Sequence, residues 1–204
     1  MSNMAVEKRW SVEAPWEQGT LRAFEPTLEE VQTAAQSLAT FYNDLHNSAM
    51  MSNTEDASAA DVVARFCEMC AAGERPFLLV QDGELLGDAD FRKVTETAAE
   101  FAILVGPRGQ QSRGLGTRFA AMLHAVGLRA VGFERIYATV IPQNIASRRM
   151  LEKIGYEIDL SPQAAIYTDE DTDIAMSIDR ARFEQTNADL LRQFRVAERR
   201  FDQR

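Results

Sequence analysis

Four glycines, at 106, 109, 114 and 116, crowd a loop that follows the apolar run Ile103-Leu104-Val105. After it, Leu115, Phe119, Met122, Leu123 and Val126 recur at helical spacing, which predicts strand, glycine-rich loop, helix. Backbone N–H groups at such a helix start face an anion, and the helix dipole favours negative charge there. Glycine lets a phosphate come close where a Cβ would block it. The chemistry expected is the holding of a phosphate or pyrophosphate. A second group, Asp88, Asp90 and Glu100, suggests proton transfer. A hairpin turning near Thr95 would set Asp90 opposite or next to Glu100, with Asp88 on the same face as Asp90. Carboxylates that close repel, and one pKa rises toward neutrality, as a general base requires.

The loop lacks Gly-Lys-Ser/Thr, so it is no ATP-type phosphate loop, and Phe119 stands where a dinucleotide fold needs its third glycine. Gln111, Gly114 and Gly116 fill the pattern Gln/Arg-x-x-Gly-x-Gly/Ala, with Val105 and Pro107 upstream and one extra residue before Gln111. Further on, Asn144, Ser147, Glu152, Lys153, Gly155 and Tyr156 fill Asn-x-x-Ser-x-x-x-x-Glu-Lys-x-Gly-Phe/Tyr. Two blocks in this order resemble the GNAT superfamily of N-acetyltransferases, in its branch of ribosomal-protein-alanine acetyltransferases. The resemblance covers roughly residues 20 to 178. It implies an α/β fold of the α+β kind, with a mixed, mostly antiparallel sheet flanked by helices.

The resemblance also implies acetyl-CoA as co-substrate and direct transfer of its acetyl group to a primary amine. Ile103 and Val105 would offer backbone groups to the pantetheine arm. The segment Gln111, Ser112, Arg113, Gly114, Leu115 and Gly116 would take the pyrophosphate. Asn144 and Ser147 would meet the reactive half, and Arg108, Arg113 or Arg118 the adenosine phosphates, unless these arginines are solvated surface charges. Glu100 fits a glutamate that this branch carries at the start of its strand, so Glu100 and Asp90 are the expected catalytic pair. The glutamate and tyrosine that some GNAT enzymes use as base and acid are replaced here by Thr139 and Leu151. A longer acyl-CoA, or a CoA-binding module without turnover, stays open. The acceptor, a peptide N-terminus or a small molecule, would enter between 41–57 and 160–172. These segments bring Phe41, Tyr42, Asp44 and His46 against Tyr167 and the acidic run Asp169 to Asp171 with Asp173.

These side chains must be held by a framework. A 204-residue chain with 46 % apolar residues can bury one core. A net charge of −9 argues against nucleic-acid binding. With no run of eighteen apolar residues and no signal-type start, the expectation is a soluble, cytoplasmic protein. Cys67, Cys70, His46 and His124 assemble no metal set, and the cysteines read as ordinary buried thiols. Strands are expected at 20–25, 77–80, 85–93, 100–105, 136–141 and 174–178, and helices at 27–39, 58–72, after Gly114 and at 145–154. A long loop is expected at 41–57. Residues 1–19 read as an extension. Residues 179–204 carry Phe183, Asn187, Leu190, Phe194, Ala197 and Phe201 in one stripe, which predicts an amphipathic helix. That helix would either pack on its own domain or join two subunits as a homodimer.

Overall fold

The computed structural model describes residues 8–51, 56–111, 113–168 and 170–199. Nine strands form a single sheet: β1 (Trp10–Trp16), β2 (Gly19–Phe24), β3 (Arg75–Gln81), β4 (Glu84–Arg92), β5 (Ala98–Val105), β6 (Arg135–Val140), β7 (Glu157–Ile158), β8 (Ile174–Asp179) and β9 (Arg195–Glu198). Their order is β7-β8-β6-β5-β4-β3-β2-β1-β9. Every pairing is antiparallel except β5 with β6. That parallel pair requires a crossover, supplied by the helix behind the glycine loop.

Among the described residues eight α-helices accompany the sheet: α1 (Leu28–Tyr42), α2 (Leu45–Met50), α3 (Ala59–Ala71), α4 (Leu115–Ala125), α5 (Ile145–Ile154), α6 (Pro162–Ala165), α7 (Arg180–Thr186) and α8 (Ala188–Leu191). Thr27 and Glu30 cap α1 reciprocally, and Ser58 with Asp61 does the same for α3. Asn144 caps α5, which stops at Gly155. From Arg118 onward the crossover helix α4 is buried all round: Phe119, Met122 and Leu123, with Val126 just after it, are 0 % exposed and pack with Phe77, Phe91 and Phe101 of the sheet. Full burial of such side chains stabilises by about 1.5–3 kcal/mol each. The other face is covered by α1 and α3 through Leu38, Ala35 and Phe66, packed on Phe24 and Leu78. The site is set between these two layers.

Three expectations need correction. The stretch 41–57 is not simply a loop, because Asp44 accepts from the N–H groups of His46 and Asn47 and starts α2. Trp10–Trp16, expected in an extension, is a strand that buries Val12 and Ala14 in the core. As far as Arg199 the segment 179–204 is not one helix, and Phe201 lies outside the described residues. The Asn187 side chain donates to Ile154 O at 2.8 Å and Phe183 O at 2.9 Å, closing α7, and Arg195–Glu198 pairs with β1 instead of continuing α8. Long-range strand pairing overrides the local helical period. Phe183 is buried in the core with Leu190 and Phe194 packed against it, so the stripe is used within the chain.

Candidate active site

Strands β5 and β6 pair only from Ala98–Arg135 to Glu100–Tyr137. Beyond that each stays with its other neighbour, β5 with β4 as far as Val105–Gly87 and β6 with β8 as far as Val140–Ile174. The two parallel strands therefore part at Phe101. Gly106 N–H donates to Leu86 O at 2.8 Å, which fixes the phase of the β4–β5 ladder. By the alternation of an antiparallel pair, the backbone groups of Phe101, Ile103 and Val105 point into the gap. The expected Ile103 and Val105 thus stand on the lip of the opening.

The loop that follows has a 3₁₀ turn at Arg108–Gln110 and then Gly114, whose φ of +88° only glycine adopts without strain. Gly114 O accepts from Arg118 N at 3.0 Å, so the N–H groups of Leu115, Gly116 and Thr117 form the open first turn of α4. Leu115 is 2 % exposed, and only its backbone can face a ligand. A Cβ at Gly116 would have Val105 Cγ2, at 3.8 Å, as its nearest neighbour, so the protein itself does not demand glycine there. A glycine-lined helix start beside parted strands fits a diphosphate and its extended pantetheine arm. Ser112 lies outside the described residues.

Side chains of the loop are braced rather than free. Gln111 Nε2 donates to Val105 O and to Asn47 Oδ1, each at 2.9 Å. Arg113 is exposed and bonded to Gln110 Oε1 at 2.8 Å and to Glu17. Arg108 is exposed on the loop. Arg118, a candidate for a phosphate contact, is engaged within the protein. It is 8 % exposed, donates to Pro15 O at 3.1 Å and Gln193 Oε1 at 2.7 Å, and stacks its cation over Phe194. Across the gap, Asn144 Oδ1 accepts from Ser147 N at 3.0 Å while its Nδ2 donates to Met50 O at 3.1 Å. Half-buried Ser147 stands in the first turn of α5.

The carboxylates line the sheet face under α1. Register places Asp88 opposite Leu104, Asp90 opposite Ala102 and Glu100 opposite Arg92. Asp90 and Glu100 are therefore diagonal neighbours, joined through Arg92, whose Nε lies 3.6 Å from Asp90 Oδ1 and whose Nη2 lies 3.4 Å from Glu100 Oε1. Lys93 Nζ also reaches Glu100 Oε2 at 3.2 Å. Glu100, 0 % exposed, sits where β5 and β6 still pair, while Asp90 and Asp88 stand beside the parted stretch. Burial lifts Asp90 to about 6 against the pull of Arg92. Burial lifts Asp88 to about 7, with a Tyr42 hydrogen bond opposing and the Asp90 charge adding. Asp88, named at first only as a companion, thus stands nearer neutrality than Asp90. Its signal in the sequence was the alternation Asp88-x-Asp90.

The remaining polar candidates divide between buried and exposed positions. His124, in α4, is 0 % exposed, with Nδ1 at 2.7 Å from Ala120 O and Nε2 at 2.6 Å from the Tyr156 hydroxyl. Tyr167 stacks on Tyr137 at 4.2 Å, and its carbonyl accepts from Thr139 Oγ1 at 2.7 Å and Lys93 Nζ at 3.1 Å. His46 is exposed on α2, Glu170 and Asp171 are exposed, and Asp169 lies outside the described residues. Cys67 and Cys70 are exposed on α3, not buried as expected. A cavity of about 490 Å³ lies at the closed end of the β5–β6 pair, against Ala98, Arg135 and Tyr137. Among the described residues no helix is long and apolar enough to cross a membrane, and no three side chains form a metal-binding group.

The parted strands and the glycine-lined helix start together form a groove suited to an extended, phosphate-bearing ligand. Residues 20–157 match the family described as the acetyltransferase (GNAT) domain, and the chain belongs to that family. Comparison with curated protein sequences gives no match. Among solved structures, Mycobacterium smegmatis RimJ in complex with CoA-disulfide superposes with a TM-score of 0.71 at 18 % identity, over 90 % of this chain and 95 % of that one. The aminoglycoside acetyltransferase AAC(6')-Ib with coenzyme A superposes with a TM-score of 0.63 at 20 % identity, over 76 % and 95 %. The ribosomal-protein-S5-alanine acetyltransferase of Vibrio fischeri gives 0.62 at 15 % identity, over 82 % and 96 %. At these identities the likeness speaks for the fold.

Proposed function

We propose that this chain moves the acetyl group of acetyl-CoA to a primary amine by direct attack, with no acyl-enzyme. The parting of β5 from β6 beside the Gly114–Gly116 helix start carries this reading. Acetyl-CoA supplies an activated thioester. The backbone of Ile103 and Val105 orients its pantetheine arm, and the N–H groups of Leu115 and Gly116 hold its diphosphate. Gln111 shapes the loop from behind. Exposed Arg108 and Arg113 on the glycine loop are the candidates for the adenosine phosphates.

An amine attacks only when neutral, so a base must take its proton near pH 7. Asp88 and Asp90 do this as a coupled pair, alongside the parted strands and at values of about 7 and 6. Glu100 is a positioning residue that holds Arg92 against Asp90. The exposed outer positions of Cys67 and Cys70 support direct transfer.

The ribosomal-protein-S5-alanine acetyltransferase and the aminoglycoside acetyltransferase AAC(6')-Ib make a peptide amine and an aminoglycoside the first acceptors to try. The test is CoA-thiol release with acetyl-CoA and a panel of such amines. Turnover with at least one amine is expected. Tight CoA binding with no turnover would favour a silent CoA-binding module. That reading draws support from Thr139, whose hydroxyl is bound to Tyr167 O and is no base.

A further inference from the structure

Asn47 is the buried residue of the six-residue helix α2, at 2 % exposure. Its Nδ2 donates to Phe41 O at 3.0 Å and to Gly106 O at 3.1 Å, and its Oδ1 accepts from Gln111 Nε2 at 2.9 Å. Gln111 uses its second amide hydrogen on Val105 O. One buried amide thus ties together the end of α1, the exit of β5 and the glycine-rich loop. Phe41 adds a steric clamp, since a Cβ on Gly106 would lie 2.1 Å from its ring.

Three residues along α2, Met50 O accepts from Asn144 Nδ2, the cap of the helix that follows β6. Helix α2 therefore reaches from the exit of β5 to the exit of β6 and bridges the mouth of the gap. Little apolar contact holds it there, because Leu45 is 88 % exposed and His46 is exposed. The placement of α2 rests on polar side chains, Asn47 foremost.

We infer that Asn47 is a positioning residue for the CoA site, fixing the Gly106–Gly114 loop in its binding shape through Gln111 and Gly106. This rests on the CoA-dependent reading above. Loss of the Asn47 amide leaves two carbonyls and the Gln111 amide without their buried partner, which favours an opened loop. No phosphate contact is removed directly. The effect falls on donor binding and not on the attack of the amine.

The test is calorimetric titration with coenzyme A, below the melting temperature, of wild type, Asn47→Ala, Gln111→Ala and the double variant. Asn47→Ala should weaken CoA binding about tenfold or more. The KM for acetyl-CoA should rise by the same factor, with kcat within about twofold. Gln111→Ala should cause a comparable loss, and the double variant should add little to either, as expected for one network. Amide hydrogen exchange of apo Asn47→Ala should speed up in the loop and α2 but not in α3. Asn43→Ala is the control. Among the described residues the Asn43 side chain ties Ala57, through two bonds of 2.8 Å, and touches no part of the loop, so its loss should lower stability and leave CoA affinity unchanged. Unchanged CoA affinity in Asn47→Ala, or losses that multiply in the double variant, would overturn the inference. If Asn47→Ala fails to fold, unchanged affinity in Gln111→Ala overturns it alone. Wild-type protein that takes up no CoA would instead sink the functional reading itself.

Discussion

The Tyr42 hydroxyl, at the last residue of α1, donates to Oδ2 of Asp88 in the middle of β4. Burial pushes the Asp88 carboxyl up to about 7, and this donated bond favours its charged form and pulls it back. The balance leaves a carboxyl that ionises near neutral pH, beside the stretch where β5 and β6 part.

The kcat/KM for the amine should therefore rise with pH through about 6 to 7, as Asp90 and Asp88 lose their protons. Asp88→Asn should lower kcat roughly a hundredfold or more and remove the upper part of that limb. Tyr42→Phe removes the bond that favours the charged form, so the limb should move to higher pH. Turnover that is flat across this range in wild type would place the base elsewhere.

The same group sets a stability trend. Folded Asp88 keeps its proton to about pH 7, whereas the unfolded side chain loses it near its ordinary value of 3.8. Stability from this group is full below 3.8 and is lost as pH rises toward 7. Asp88→Asn should thus raise the melting temperature at pH 8 while depressing turnover. A lower melting temperature at pH 8 would show that the ionised carboxylate is held by more favourable contacts than these.

His124 gives the opposite slope. Burial lowers its pKa to about 4 from 6.5, so the unfolded chain takes up a proton that the folded chain refuses. Stability present above pH 6.5 should fall by about 3 kcal/mol as pH drops to 4. His124→Gln, which retains a donor and an acceptor, should flatten this part of the curve in denaturant titrations.

Arg118→Ala separates structure from binding. Its guanidinium ties Pro15 O to Gln193 and covers Phe194. The variant should lose about 1–3 kcal/mol of stability with CoA affinity unchanged. A large loss of affinity at normal stability would return Arg118 to the phosphates.

Local signals were legible in the sequence wherever local chemistry decides the structure. Thr27 with Glu30, Asn144 with Gly155, and the Asp82-Gly83 turn all mark element ends where they were expected. The loop and Asp90 beside Glu100 were legible for the same reason, because strand alternation and turn position fix their neighbours. What escaped is non-local. The strand Arg195–Glu198 exists because it pairs with Trp10–Glu13, some 180 residues away in sequence. Alternation of Val12 and Ala14 was the available signal for β1, and Pro15 argued against it. Pro15 is tolerated because β9 stops at Glu13, so no ladder donor is needed on that side. Asn47 could not be read as a brace, since its partners at Gly106 and Gln111 are brought to it only by the fold.

Gly116→Glu tests the central claim most directly. A Cβ at this position has its nearest neighbour at 3.8 Å, and the helix dipole favours a carboxylate in the first turn, so the fold accepts the substitution. If the start of α4 cradles the diphosphate of CoA, this variant should melt close to the wild-type temperature and yet bind CoA at least tenfold more weakly by calorimetry, because bulk and negative charge now occupy the cradle. Wild-type affinity for CoA in a stable Gly116→Glu protein would contradict the account.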